Sequence, residues 1–216
     1  MQFDTTIIII IITALVSIGG FSNQKIINDL IFYPPAVTRN GQWYRFFSCG
    51  LIHADWQHLI FNMISMYFFG STVENAFKAL FPQAGTWIYL TMYISALMIS
   101  LLPTYFKHRN DEYYRSLGAS GAVSAVIFAG LAVAPDSEVY VYFIRMPGFI
   151  FAPLYLVLSI ILEKKAKDNI NHSAHIWGSI YGLAFILIAA YAAGFDLVSY
   201  FVDAVGSYMR AKGWTS

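Results

Sequence analysis

Two short polar stretches stand out in an otherwise apolar chain. The first is Gly118-Ala119-Ser120-Gly121, which follows a loop bearing Arg109, Asp111, Glu112 and Arg115 and opens an apolar run. A hydroxyl at a helix start can cap the helix, pack against a neighbour or act as a nucleophile. The second is His175, which opens a later apolar run. Upstream, His58 and Asn62 are four residues apart, which puts them on one face of a helix. A serine becomes a nucleophile when a base within hydrogen-bond reach takes its proton, and imidazole is the commonest such base. Acyl transfer also needs donors aimed at a developing oxyanion. The free N–H groups at a helix N-terminus, an Asn amide and a His ring N–H are donors of that kind. Taken singly, each residue has a plainer reading. Ser120 is a cap, Asn62 joins two helices, and His58 and His175 sit at a membrane interface.

The spacing of small residues joins these groups. Gly121, Ala125 and Ala129 recur every four residues, and Gly178 and Gly182 form a second small stripe. His175 precedes the two glycines at i, i+3 and i+7, so all three share a face. Small residues let helix backbones approach closely in a membrane. If the two stripes meet, His175 arrives at the serine end of the other helix. Depth adds a second expectation. If the serine helix ends near Pro135, Ser120 stands about 22 Å above that end, at about 1.5 Å per residue. In a hydrocarbon layer about 30 Å thick, Ser120 then lies roughly 8 Å below the opposite surface. The loop before it must dip inward, where irregular backbone is tolerated only inside protein or along a wet cavity.

Composition says where such a chain resides. Of 216 residues, 58% are hydrophobic and 12% charged. Soluble domains carry about 25% charged residues, so this composition points to an integral membrane protein. A net charge of +1 with no basic stripe gives no sign of nucleic-acid binding. Cys49 is the only cysteine, which excludes an intrachain disulfide and any cysteine-based metal motif. Six segments are long and apolar enough to span a bilayer: about 5–21, 57–79, 84–103, 118–135, 147–162 and 173–193. All are expected to be helices, because no alternating strand pattern is present. The expectation is therefore an all-α membrane protein with one domain over residues 1–216.

The isoleucine run at 7–12 follows Asp4 with no basic residue, so it reads as a retained transmembrane helix rather than a signal peptide. The connection 22–56 is aromatic and apolar, with turns expected at Pro34-Pro35 and Asn40-Gly41, and it reads as partly embedded in the membrane. The tail 195–216 reads as an amphipathic segment on the membrane surface. With the N-terminus inside, Lys78, Arg145, Arg210 and Lys212 fall on the inner side and the other nine of the 13 basic residues outside. That distribution is the reverse of the positive-inside rule.

Together these residues resemble the rhomboid family of intramembrane serine proteases. The matches are His58-Leu-Ile-Phe-Asn62, Gly118-Ala-Ser-Gly121 and the stretch from Ala174 to Gly182, in the correct helices and order. Trp43-Tyr-Arg45 resembles the Trp-Arg motif of the family's first loop, and Glu74 resembles its acidic residue near the end of the second helix. The resemblance implies a six-helix rhomboid-like bundle with a partly embedded first loop, in the bacterial inner membrane. It implies a Ser–His dyad, with Ser120 as nucleophile and His175 as base and later acid. His58, Asn62 and the Ser120 N–H would form the oxyanion hole. Gly118 would shape the loop, with Gly121, Gly178 and Gly182 supporting the seam and Arg45 and Glu74 holding structure. No cofactor or metal is implied, and the partners are transmembrane protein substrates and the lipid bilayer. No carboxylate stands near His175 in sequence, the nearest being Asp168. Some members carry a tyrosine four residues after the serine, stacked on the histidine. Here that position is Ser124, so Trp177 or the histidine's own packing is expected to steady the ring.

Three other functions fit the sequence less well. A catalytically inactive relative that binds or chaperones membrane helices lacks the serine or the histidine, and both are present here. A metal-dependent membrane enzyme would group His53, His58, His172 and His175, but no HExxH is present, and His53 and His172 read as interfacial. A transporter would show broken midplane helices and usually a repeat, and neither is evident.

Overall fold

A computed structural model describes residues 4–141, 143–165 and 170–215. Asp168 lies outside the described residues. The chain is mainly helical. Helix α1 spans Thr5–Ser22, with Asp4 as its cap. The first loop then holds α2 (Gln24–Leu30), α3 (Pro34–Asn40) and α4 (Arg45–Ser48) before a 3-10 turn at Cys49–Leu51. Long helix α5 follows over Trp56–Leu80. Helix α6 (Gly85–Ile99) runs through a turn into α7 (Leu102–His108). The remaining helices are α8 (Ser120–Val133), α9 (Gly148–Lys165), α10 (His172–Ala192) and α11 (Leu197–Ala211).

The burial pattern is that of a protein whose solvent is lipid. Helix α1 buries Thr6, Thr13 and Ser17 beside Ile9 and Gly20, while Ile11 and Leu15 on its outer side are 51% and 66% exposed. In water that arrangement would be unfavourable. In a bilayer the isoleucines cost nothing outside, and the buried hydroxyls of Thr6 and Ser17 find partners inside. Ser17 Oγ donates to Leu51 O at 2.9 Å, and Thr6 Oγ donates to Glu74 at 3.1 Å. Among the described residues, three helical runs are long and apolar enough to cross a membrane: Thr5–Ser22, Gly85–His108 and His172–Ala192.

Helix α8 is the centre of the bundle. Every residue from Gly121 to Ala132 is buried, and α5, α6, α9, α10 and α11 pack around it. It ends at Val133, before the expected Pro135, so its 14 residues span about 21 Å.

The all-helical expectation needs one amendment. Strands β1 (Glu138–Val141) and β2 (Ile144–Pro147) pair antiparallel, with Glu138 opposite Pro147 and Tyr140 opposite Arg145. Valine, isoleucine and tyrosine favour extended backbone, which explains the local choice. The expected turn at Pro34-Pro35 is instead the start of α3, where proline's missing N–H is not needed. Asn40-Gly41 does end that helix, with Gly41 at φ 63° as its left-handed cap. The first loop is a folded layer, with Phe32, Val37 and Phe46 almost fully buried against Leu101 and Tyr105.

Candidate active site

The loop before Ser120 is held by the first loop. Phe32 and Ser116 exchange backbone hydrogen bonds at 2.9 and 3.1 Å, and Gly118 N–H donates to Cys49 O at 2.9 Å. Ala119 N–H points to His53 Nε2 at 3.5 Å, and His53 Nδ1 pairs with Ser17 Oγ at 2.9 Å. An imidazole that accepts at Nε2 must carry its proton on Nδ1, so Ser17 accepts from it. His53 was expected at the interface and is instead 1% exposed, because both its nitrogens are used between α1 and the Ser120 loop. His172 is likewise buried, at 5% exposure, where α10 starts beside α7.

Arg45 and Glu74 each make several bonds in this scaffold. The Arg45 guanidinium donates to Asn28 O at 3.0 Å, Ile31 O at 2.7 Å and Gln42 Oε1 at 2.5 Å, tying α2 to α4. Glu74, 1% exposed, accepts from Thr5 N–H and Thr6 N–H at 3.2 and 3.1 Å and pairs with Lys78 at 2.8 Å. A carboxylate there satisfies orphan N–H groups and faces the positive end of the α1 dipole.

Ser120 is the first helical residue of α8 and not its cap. Ala119 holds the cap position, and no side-chain capping bond is made there. Gly118 has φ 110°, a conformation open mainly to glycine. A Cβ on it would lie 2.6 Å from His58 Cε1, so the His58 ring rests directly on this loop. Asn62, 6% exposed, donates one amide N–H to His58 O at 2.9 Å. His53 and His58 meet edge to face at 4.9 Å. A cavity of about 10 Å³ lies behind the serine, lined by Ser120, Gly121, Cys49, Ser100 and Asn171 among others. That is about the least space that holds one water.

The two small stripes do meet. A Cβ on Gly178 would lie 2.0 Å from Gly121 O, and one on Gly182 would lie 2.0 Å from Ala125 O. Both contacts are backbone to backbone, so no side chain fits at either position. The pairing runs in the same direction along both helices, which sets the first turns of α8 and α10 side by side. Asn171 caps α10, accepting from Ala174 N–H at 3.1 Å and from Thr104 Oγ at 3.1 Å. Asn171 was not singled out from sequence, although an Asn just before an apolar helix is the ordinary N-cap signal.

The expectation for the histidine ring is corrected. Trp177 is 46% exposed and turned outward. Two rings lie against His175: His172 edge-on with centroids 5.9 Å apart, and Tyr155 of α9 stacked at 6.3 Å with planes 29° apart. The Tyr155 hydroxyl is hydrogen bonded to Ser124 Oγ at 2.8 Å. Helix α9 shows no periodic polar signal in sequence, so this partner was not legible there.

A fold in which one central helix starts at the serine of Gly-Ala-Ser-Gly and seats its first turn on a histidine-bearing helix defines a class of membrane protein. The chain belongs to the rhomboid family: the family model described as Rhomboid domain matches residues 40–192. The chain is 25% identical over 153 residues to RHOMBOID-like protein 12, mitochondrial, of Arabidopsis thaliana, covering 65% of this chain and 45% of that one. It is 26% identical over 157 residues to putative rhomboid protease YdcA of Bacillus subtilis, covering 69% of each. Rhomboid protease AarA of Providencia stuartii is 24% identical over 169 residues, covering 70% of this chain and 59% of that one. The match thus spans under half of the Arabidopsis protein and about two thirds of the Bacillus one. Family and apolar helices together make this an integral membrane protein.

Proposed function

We propose that the chain is an intramembrane serine protease that cleaves transmembrane segments of membrane proteins. The observation that carries this reading is the backbone contact of Gly178 with Gly121, which sets Ser120 and His175 on adjacent first turns. In this reading six segments span the bilayer: α1, α5, the α6–α7 run, α8, α9 and α10. At about 21 Å, α8 is shorter than the roughly 30 Å hydrocarbon layer, so Ser120 starts below the surface. The segment directly before it is packed in protein, with 116–118 half-buried and Ala119 fully buried, which fits irregular backbone at that depth.

The reaction follows from the residue types. Ser120 Oγ attacks a substrate carbonyl carbon while His175 takes the hydroxyl proton. The oxyanion of the tetrahedral intermediate accepts from the Ser120 N–H, the His58 ring and the second N–H of the Asn62 amide. The intermediate collapses, the C–N bond breaks, and His175 returns the proton to the departing amine. Water, deprotonated by His175, then attacks the acyl-enzyme ester and frees Ser120. No cofactor or metal takes part in any step. The site is proposed to act in a bacterial inner membrane.

The test is cleavage of a panel of reporter transmembrane segments by the purified protein in liposomes. Ser120→Ala and His175→Ala are each expected to abolish cleavage while the protein remains folded. His58→Ala or Asn62→Ala is expected to slow it about 10²–10³-fold. Cleavage by Ser120→Ala at the wild-type rate would overturn the assignment.

A further inference from the structure

Ser124 and Tyr155 have no part in the chemistry above, yet the fold joins them to each other and sets Tyr155 against the histidine. Ser124 lies one turn after Ser120 on the same face of α8 and is 1% exposed. A buried hydroxyl needs a partner, and its Oγ is 2.8 Å from the Tyr155 hydroxyl. The Tyr155 ring is fixed from two further sides, by Phe128 and Phe151, each with centroids 5.7 Å away. The His172 ring meets His175 edge-on at 5.9 Å, and the Tyr155 ring lies nearly parallel to it at 6.3 Å and 29°. That spacing and tilt lie within the range of offset aromatic stacking. Phe128 is itself one turn beyond Ser124, so one face of α8 presents Ser120, Ser124 and Phe128 in succession.

We propose that Tyr155 is the positioning residue for the His175 imidazole, and that Ser124 holds Tyr155 in place through the hydroxyl bond. This rests on the reading of His175 as the base. A base on a helix has two side-chain torsions free to turn. A flat ring against one side removes the rotamers that swing the imidazole away from Ser120. Ser124 ties that ring to the nucleophile's own helix, so the base is referenced to α8 and not only to α10. Helix α9 buries just Gly148 and Ser159, and it would be a loose support without this bond.

The experiment uses the full chain in liposomes with a cleavable reporter segment. It measures kcat and KM separately, with thermal unfolding of each variant alongside. Tyr155→Leu removes the ring and is expected to lower kcat on the order of 10- to 100-fold with KM within about twofold. Tyr155→Phe and Ser124→Ala keep the ring and lose only its tether, and each is expected to lower kcat by about threefold to tenfold. The double change Ser124→Tyr with Tyr155→Ser returns a ring from α8 to the vacated space. It is expected to recover kcat to within about fivefold of wild type. A purely structural role predicts that kcat tracks unfolding temperature and that the double change rescues nothing, and that result would overturn the proposal. If Tyr155→Leu does not fold, Tyr155→Phe and the double change decide in its place. Cleavage that needs Ser120 but is unchanged in Tyr155→Leu overturns the proposal alone. Cleavage by Ser120→Ala overturns the protease reading and this proposal with it.

Discussion

Single residues here divide between chemistry and support, and burial separates them. Glu74 is a charged group at 1% exposure, which is costly in a membrane unless fully paired. It is paired four ways, by two backbone N–H groups, the Thr6 hydroxyl and Lys78. Replacing it leaves the first turn of α1 and Lys78 without their anion. Glu74→Ala is expected to destabilise the protein by about 3 kcal/mol, read from unfolding in detergent. A change under about 1 kcal/mol would show that the clamp is dispensable. His53 shows how a residue's type misleads when its neighbours are unknown. A lone histidine after an apolar loop reads as interfacial, and only the fold reveals that Ser17 and Ala119 are both in reach. Ser124 misleads in the opposite direction. Sequence shows a tyrosine's place occupied by a small residue. The compensating ring is supplied by Tyr155, 31 residues away on another helix.

At the scale of elements, the seam between α8 and α10 is the feature on which the site depends. Glycine at 178 and 182 is required because the facing atoms are backbone carbonyls, which cannot turn aside. Gly178→Ala would force α10 away from α8 near Ser120. Cleavage is then expected to fall by roughly 100-fold or more, with a lower Tm. Gly182→Ala sits one turn farther from the serine, so it should destabilise comparably and cost less activity. Gly194→Ala is the control. Its surroundings are open, and only its φ of 72° opposes a side chain. It should cost about 1–2 kcal/mol and leave cleavage intact. Equal activity of Gly178→Ala and Gly194→Ala would refute the role of the seam. This contact was legible in sequence, because small residues every four positions have few other uses in a membrane helix. The β1–β2 pair was not. Its four-residue strands are too short to give a period against long apolar helices.

For the whole molecule, the sequence carries the architecture through hydropathy and leaves the packing to be discovered. Three of the expected spans recur as long apolar helical runs, Thr5–Ser22, Gly85–His108 and His172–Ala192, because lipid enforces that length. The first loop was readable as apolar but not as a folded layer. Its short helices α2, α3 and α4 are held by tertiary bonds such as those of Arg45 to Asn28 and Ile31. The same layer fixes the approach to Ser120 through Cys49 and His53, so the molecule acts as one scaffold for the first turn of α8. The central claim is that this turn presents an activated serine, and a fluorophosphonate probe tests it without any substrate. The purified protein is predicted to be labelled, with peptide mapping placing the adduct on Ser120 and His175→Ala slowing labelling by at least about 100-fold. No adduct on Ser120, or labelling unchanged in His175→Ala, would contradict the account.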